Sequence, residues 1–363
     1  MADNTPIVFD NTLVVPDDLK HTEFISDFCF SPTNDIVGLG DMKGRVSLYK
    51  YGDLTVPEML FEIEGNKDSV RNVCFNEGGN LLFSTSSDGA ISIVDINAQK
   101  VLATNPRAHK HPIYALDSKG DMIVTGDEDG CIKVWDMRQQ KCVAVHDEHN
   151  DYISQVVLCG DTIFAAGGDG CMSTWSLKKG KVIGISQNLN ESLLSLTVLE
   201  EDYRICCGSE RGKVYVWSWD DWEEPKLKLS GHPDCVQSLI TIDRNTVFSG
   251  SFDGVIRIVQ ITPNKLLGCV GKHEFPVEKM QVSRDKRFLG SCSLKKHVKF
   301  WDVGYLYDDA DESTTTVQVK KPEQDIVTDY QEVSMSNEYK KRGKKKKGMQ
   351  QNPNNPFFKG MED

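Results

Sequence analysis

The sequence predicts an all-β, seven-bladed β-propeller followed by a disordered C-terminal tail. Three observations predict it. A glycine-turn phrase recurs seven times, β-type alternation flanks each copy, and no helical periodicity of useful length interrupts residues 1–307. The copies read LGDMKGRVSLY, TSSDGAISIVD, TGDEDGCIKVWD, AGGDGCMSTWS, CGSERGKVYVWS, SGSFDGVIRIV and SCSLKKHVKFWD. Their turn positions are Gly44, Gly89, Gly130, Gly170, Gly212, Gly254 and, with the glycine lost, Lys296. The spacings are 45, 41, 40, 42, 42 and 42 residues. All-β repeats of this period are the mark of propeller blades.

Within each copy the elements follow in order. Asp-Gly between alternating apolar runs is a hairpin signal, because glycine supplies the positive φ that the turn requires. Ile132 and Val134, or Val255, Ile256 and Ile258, give the strand after the turn. Upstream lies another apolar run, such as residues 236–240 or Val277–Val282, often preceded by a histidine. The phrase resembles WD40 repeats, with Trp135-Asp136 and Trp301-Asp302 as literal WD dipeptides. That resemblance implies a hydrogen-bonded chain of His, Ser/Thr, Asp and Trp in each blade, mapped in blade three to His109, Thr125, Asp129 and Trp135. Other blades depart from it: Ala165 stands where blade four needs a hydroxyl, Val259 where blade six needs tryptophan, and Lys295 where blade seven needs aspartate. A ring must also close, or its first and last blades leave open edges. In the WD family an N-terminal segment completes the last blade, so residues 1–15, apolar and β-prone over 7–15, are expected to be the closing strand of a propeller spanning 1–307.

Composition sets the class. Hydrophobic residues make up 39% and charged residues 26%, ordinary globular values that allow a sizeable core. Residues 1–10 do not read as a secretory signal, and no apolar stretch approaches the ~18–20 residues of a membrane span. The eleven cysteines are odd in number, scattered and without a CxxC pair, which fits a reducing compartment. The Asn190-Glu191-Ser192 sequon then carries no meaning. Net charge is −12, yet residues 311–363 hold ten Lys/Arg against nine Asp/Glu, leaving −13 on the rest. An acidic body is a poor general binder of nucleic acid, so any weak RNA contact is expected in the tail.

Several motifs imitate chemistry. His109-x-His111 and His146-x-x-His149 lack a cysteine or carboxylate set at zinc spacing. The acidic turn 126–130 lacks the graded ligands of a calcium loop, and residues 208–213 fall short of a P-loop. No nucleophile with its own base is identifiable. The expectation is a binding protein, not an enzyme, with no cofactor and no metal.

Candidate interaction features remain. Past Tyr307 the repeat stops, and residues 308–363 are too polar to offset the entropy of ordering. Within them Lys340, Lys341, Arg342, Lys344, Lys345, Lys346 and Lys347 place seven cations in eight positions, a nuclear or nucleolar signal or a solvated run. Phe357, Phe358 and Met361 form a docking peptide or a frayed end. Trp219 and Trp222 are a contact loop or ordinary packing. Asp136 and Arg138 form a WDxR box that resembles substrate receptors of cullin-4 ubiquitin ligases, in which the arginine meets the adaptor. Taken in order, the blade-three stretch 111–138, the closing stretch 276–302, the acidic-then-lysine tail and the terminal FFKGM resemble the WD repeat-containing protein 55 family. The resemblance implies a nuclear and nucleolar scaffold for ribosomal RNA production and ribosome biogenesis. Its partners would be ribosome-assembly factors, contacted by a monomeric propeller, with the cullin-4 adaptor as the alternative.

Overall fold

Alternation in the sequence becomes alternation in burial. In Ile132–Asp136, Ile132 and Val134 are fully buried while Lys133 and Trp135 are half-buried, as period-two side chains on a packed sheet require. The computed structural model describes residues 15–52 and 55–308. Among them, 28 strands form seven four-stranded antiparallel sheets, the blades of one propeller. Blade three, for example, runs Ile113–Lys119, Met122–Asp127, Ile132–Asp136 and Lys141–His146 from the inner strand outward. After Asp302 comes one helical turn, Tyr305–Asp308, whose Leu306 and Tyr307 pack on the apolar cluster shared by blades six and seven. No helix among the described residues is long and apolar enough to cross a membrane.

The turn glycines serve two ends. Gly130 has φ +86°, and a Cβ there would lie 2.8 Å from the His149 carbonyl oxygen. Glycine therefore permits the hairpin and lets the segment feeding the next blade press against it. In blade seven Lys296 takes that place, and its carbonyl still accepts the His21 N–H at 2.8 Å.

Each inner strand shifts register after its first residue, from Ile25/Asp27 in blade one to Val277/Lys279 in blade seven. Such a bulge re-aims the side chain that follows. Among the re-aimed residues, Asp27 accepts the Val73 N–H at 3.0 Å, Gln155 accepts Leu196 N–H at 2.9 Å and Ser238 accepts Met280 N–H at 3.1 Å. Ser195 donates to the Val236 carbonyl at 3.0 Å. Asp117 accepts Leu158 N–H at 2.7 Å, Ser118 donates to the Phe75 carbonyl at 2.9 Å, and Gln281 accepts Phe30 N–H at 2.6 Å. Every junction between neighbouring blades is thus stitched by a side chain to backbone. Burial pushes Asp117 up to about 6, against the pull of its two backbone donors.

Ring closure differs from the expectation. Residues 1–14 lie outside the described residues, and Val15 is exposed and outside any strand. The strand that completes blade seven is Leu19–Lys20, paired with Val298 and His297. Its ladder is short, but Leu19 is buried in a cluster with Phe28, Phe30, Tyr51, Phe288 and Phe300. Neighbouring rings there stand 5.0–6.3 Å apart, within the range of favourable aromatic pairs. Apolar packing therefore holds the junction that two residue pairs alone would close weakly.

Candidate functional site

The buried histidines mark the first cluster of polar side chains. In blade three His109 Nδ1 lies 2.8 Å from Asp127 Oδ2, and its Nε2 lies 2.7 Å from Thr125 Oγ1. Trp135 Nε1 donates to the same hydroxyl at 2.9 Å. One proton arrangement satisfies all four groups: the indole donates to Thr125, Thr125 donates to Nε2, and Nδ1–H donates to Asp127. Burial lowers the His109 pKa, which favours this neutral ring. Burial alone would raise Asp127, yet the His109 and backbone donors hold it below its usual value.

Asp129 was expected in that chain and is not part of it. It sits exposed at the turn, 3.7 Å from His111, while Asp127 takes the place beside His109. Asp127 is the last residue of its strand, and its Oδ1 also accepts the N–H groups of Asp129 and Cys131. Cys131 joins His109 and Asp127 in a group whose ligand-type atoms lie within 4.8 Å of one another. Both ring nitrogens of His109 are engaged, and burial pushes the Cys131 thiol up to about 11, so the group reads as a structural network.

Blade four has the same chain by another route. His149 contacts Asp169 at 3.1 Å and Ser173 Oγ at 2.6 Å, and Trp175 Nε1 donates to Ser173 at 2.9 Å. The hydroxyl missing at Ala165 is supplied by its cross-strand partner, Ser173. In blade seven Ser291 meets His273 and Trp301, each at 2.7 Å. In blade six Ser249 meets His232 at 2.8 Å, while Arg257, itself buried, grips Asp253 through both terminal nitrogens. Burial lowers His232 to about 3 and His273 to about 4.

Three blades use residues that motif matching missed. Blade one joins His21 to Tyr49 at 2.9 Å and to Asp41 at 3.4 Å. Blade two sets Asn66 against Ser84 at 3.1 Å, and blade five sets Glu191 against Tyr215 at 2.6 Å and Lys213 at 2.7 Å. Their shared signal is position: each lies where the chain enters a new blade.

The surface candidates separate. Asp136 is buried and caps its turn, accepting Arg138 N–H at 2.9 Å and Gln139 Nε2 at 2.7 Å. The Arg138 side chain projects outward, 3.3 Å from Asp121. Trp219 and Trp222 pack instead of forming a contact loop: both rest on Phe164, with ring centroids 4.9 and 6.2 Å away, and Trp222 covers Gly184. The cations Lys340–Lys347 and the apolar Phe357, Phe358 and Met361 lie outside the described residues.

Comparison with known proteins places this architecture. The WDR55 family model matches residues 16–306. The WD repeat-containing protein 55 homolog of Dictyostelium discoideum is 36% identical over 298 residues, 82% of this chain and 72% of that protein. The homolog of Aedes aegypti is 29% identical over 81% of this chain, and the match spans 64% of that protein's length. Among solved structures, U3-55K gives a TM-score of 0.69 over 79% of this chain and 98% of that one, at 16% identity, a likeness of fold. A match across all seven blades is decisive: the chain belongs to the WD repeat-containing protein 55 family.

Proposed function

We propose that this chain is a non-enzymatic nucleolar scaffold supporting ribosomal RNA production and processing, and with them ribosome biogenesis, by holding ribosome-assembly factors on its propeller. The observation that carries the reading is a family match along the whole ring combined with seven cations in residues 340–347, beyond an acidic propeller. The buried histidines support a binding role, since each polar contact they make serves blade geometry and leaves the exposed turns and edges for recognition. The lysine run would direct the protein to nucleus and nucleolus and make weak contact with RNA phosphates. Phe357, Phe358 and Met361 would add a second, short apolar contact.

The test is localisation of a fluorescent full-chain fusion in which Lys344, Lys345, Lys346 and Lys347 become glutamine. Nucleolar signal should fall with melting temperature unchanged; an unaltered distribution refutes the role of the run. One observation favours a second reading. Arg138 is exposed even while it pairs with Asp121 and Asp136, so a cullin-4 adaptor can reach it. Absence of that adaptor from purifications of the wild-type protein refutes it.

A further inference from the structure

At one end of the ring the hairpin turns of all seven blades stand side by side. In six blades the first turn residue donates its backbone N–H to the carbonyl of the residue just before the inner strand, as Met42 does to Phe24 at 3.1 Å and Phe252 does to Cys235 at 3.0 Å. Equivalent tips are therefore comparable. Ser87, Glu128, Gly168 and Glu210 occupy blades two to five, whereas Met42, Phe252 and Leu294 occupy blades one, six and seven. The three apolar tips are consecutive in the ring.

Two phenylalanines fill the gaps between them. Phe24 and Leu294 leave 50% and 51% of their surface in water, and Phe275 leaves 44%. The blade-seven turn binds these parts together: Lys295 Nζ lies 5.1 Å from the Phe275 ring centre and also pairs with Glu274, and Lys296 Nζ lies 5.2 Å from that of Phe24 and 3.8 Å from Glu23. Lys43 stands beside Met42 and reaches Glu23 at 2.6 Å. The tips of blades two to five carry Asp88, Glu128, Asp129, Asp169 and Glu210 against a single Arg211, whereas those of blades six, seven and one carry Lys43, Lys295 and Lys296 against Asp253, which Arg257 pairs, so the two sectors differ in charge as well as polarity. Contiguous exposed apolar side chains rimmed by polar ones mark a contact surface.

The geometry points to this sector as the docking site for an acidic peptide of a partner protein, bearing large apolar side chains between its carboxylates. Aromatic and leucine side chains would cover Phe24, Phe275 and Leu294, while carboxylates would meet Lys43, Lys295 and Lys296, which already lie over or beside the apolar surface. Charge complementarity selects this occupant: three lysines outnumber Glu23 and Glu274 beside the apolar surface, and the acidic tips on the far side repel an acidic segment. The inference rests on the scaffold reading only for the need of a partner.

The purified full chain, immobilised, is offered a phage-displayed library of random dodecapeptides, and enriched peptides are titrated against variants. Peptides combining Asp/Glu with Leu, Phe or Trp should emerge. Leu294→Glu, Phe24→Glu and Lys295→Glu should each weaken them roughly tenfold or more, and Glu128→Lys on the opposite sector should not. Unchanged circular dichroism and melting identify variants that remain folded. Enrichment of basic peptides, of none, or of peptides indifferent to the three variants overturns the proposal. So does tighter binding of oligouridine at the same residues, or concentration-dependent self-association that Leu294→Glu abolishes. Localisation plays no part in this measurement, so its failure and that of the nucleolar reading are distinguishable.

Discussion

Blades three and four build one network from different strands. In blade three the shared oxygen is Thr125, on the second strand; in blade four it is Ser173, on the third, directly opposite Ala165. His109 and His149 meet it at nearly the same distance, and so do Trp135 and Trp175. The difference teaches that the fold requires a hydroxyl at a point in space, reachable from either of two paired strands. Its donor's place in the sequence is secondary.

The sharpest way to break this equivalence is to remove each oxygen. Thr125→Ala and Ser173→Ala should each cost about 2–4 kcal/mol in denaturant unfolding, because an indole N–H and a buried ring nitrogen lose their partner together. Adding Ala165→Ser to Ser173→Ala should restore at least half of the loss. If Ser173→Ala unfolds like the wild type, the relocated network has no energetic meaning.

A smaller effect separates the two carboxylates of the blade-three turn. Asp127→Asn should cost roughly 1–3 kcal/mol, since an amide would set a donor against His109 Nδ1–H. Asp129→Asn, at an exposed position, should stay within about 0.5 kcal/mol.

The comparison extends to pH through blade seven, where the ring lacks an aspartate partner. His273 is lowered to about 4 by burial, below the roughly 6.5 of an unfolded chain. A depressed histidine contributes stability that is fully present above about pH 6.5 and is lost as pH falls toward 4, because the unfolded state takes up the proton first. Asp117, raised to about 6, works the other way in the same window. Melting between pH 7 and 4 should therefore drop less steeply in His273→Gln than in the wild type. An identical slope contradicts this assignment. Smallest of all, Arg138→Ala should leave stability within about 0.5 kcal/mol, since its side chain is exposed and its turn is held by Asp136.

The blades were legible because their signals are local. A glycine of positive φ, alternating apolar residues and a histidine at blade entry each recur with the repeat. What escaped depended on pairing across strands or on competition among neighbours. The turn at 126–130 offers three carboxylates, and spacing could not say which one faces His109; strand termination at Asp127 decides it. Ser173 was invisible while the hydroxyl was sought only along the second strand. Residues 7–15 are more apolar than Leu19–Lys20, but closure needs a residue able to enter the aromatic seam and an adjacent backbone in register with Val298, which Leu19 provides. Trp219 and Trp222 look exposed in a strand-end motif, yet Phe164 and the bare backbone at Gly184 create the place they fill.

The stitches between blades have an observable consequence. The amides of Phe30, Val73, Leu158, Leu196 and Met280 donate to side chains of a neighbouring blade. Their exchange with deuterated solvent is therefore gated by the parting of two blades, while amides deep in a ladder await the opening of their own sheet. These five positions sample five separate junctions. Protection factors read at them, amide by amide, would map where the ring breathes, and would distinguish loosening at the Phe30 seam from loosening elsewhere without any probe attached to the protein.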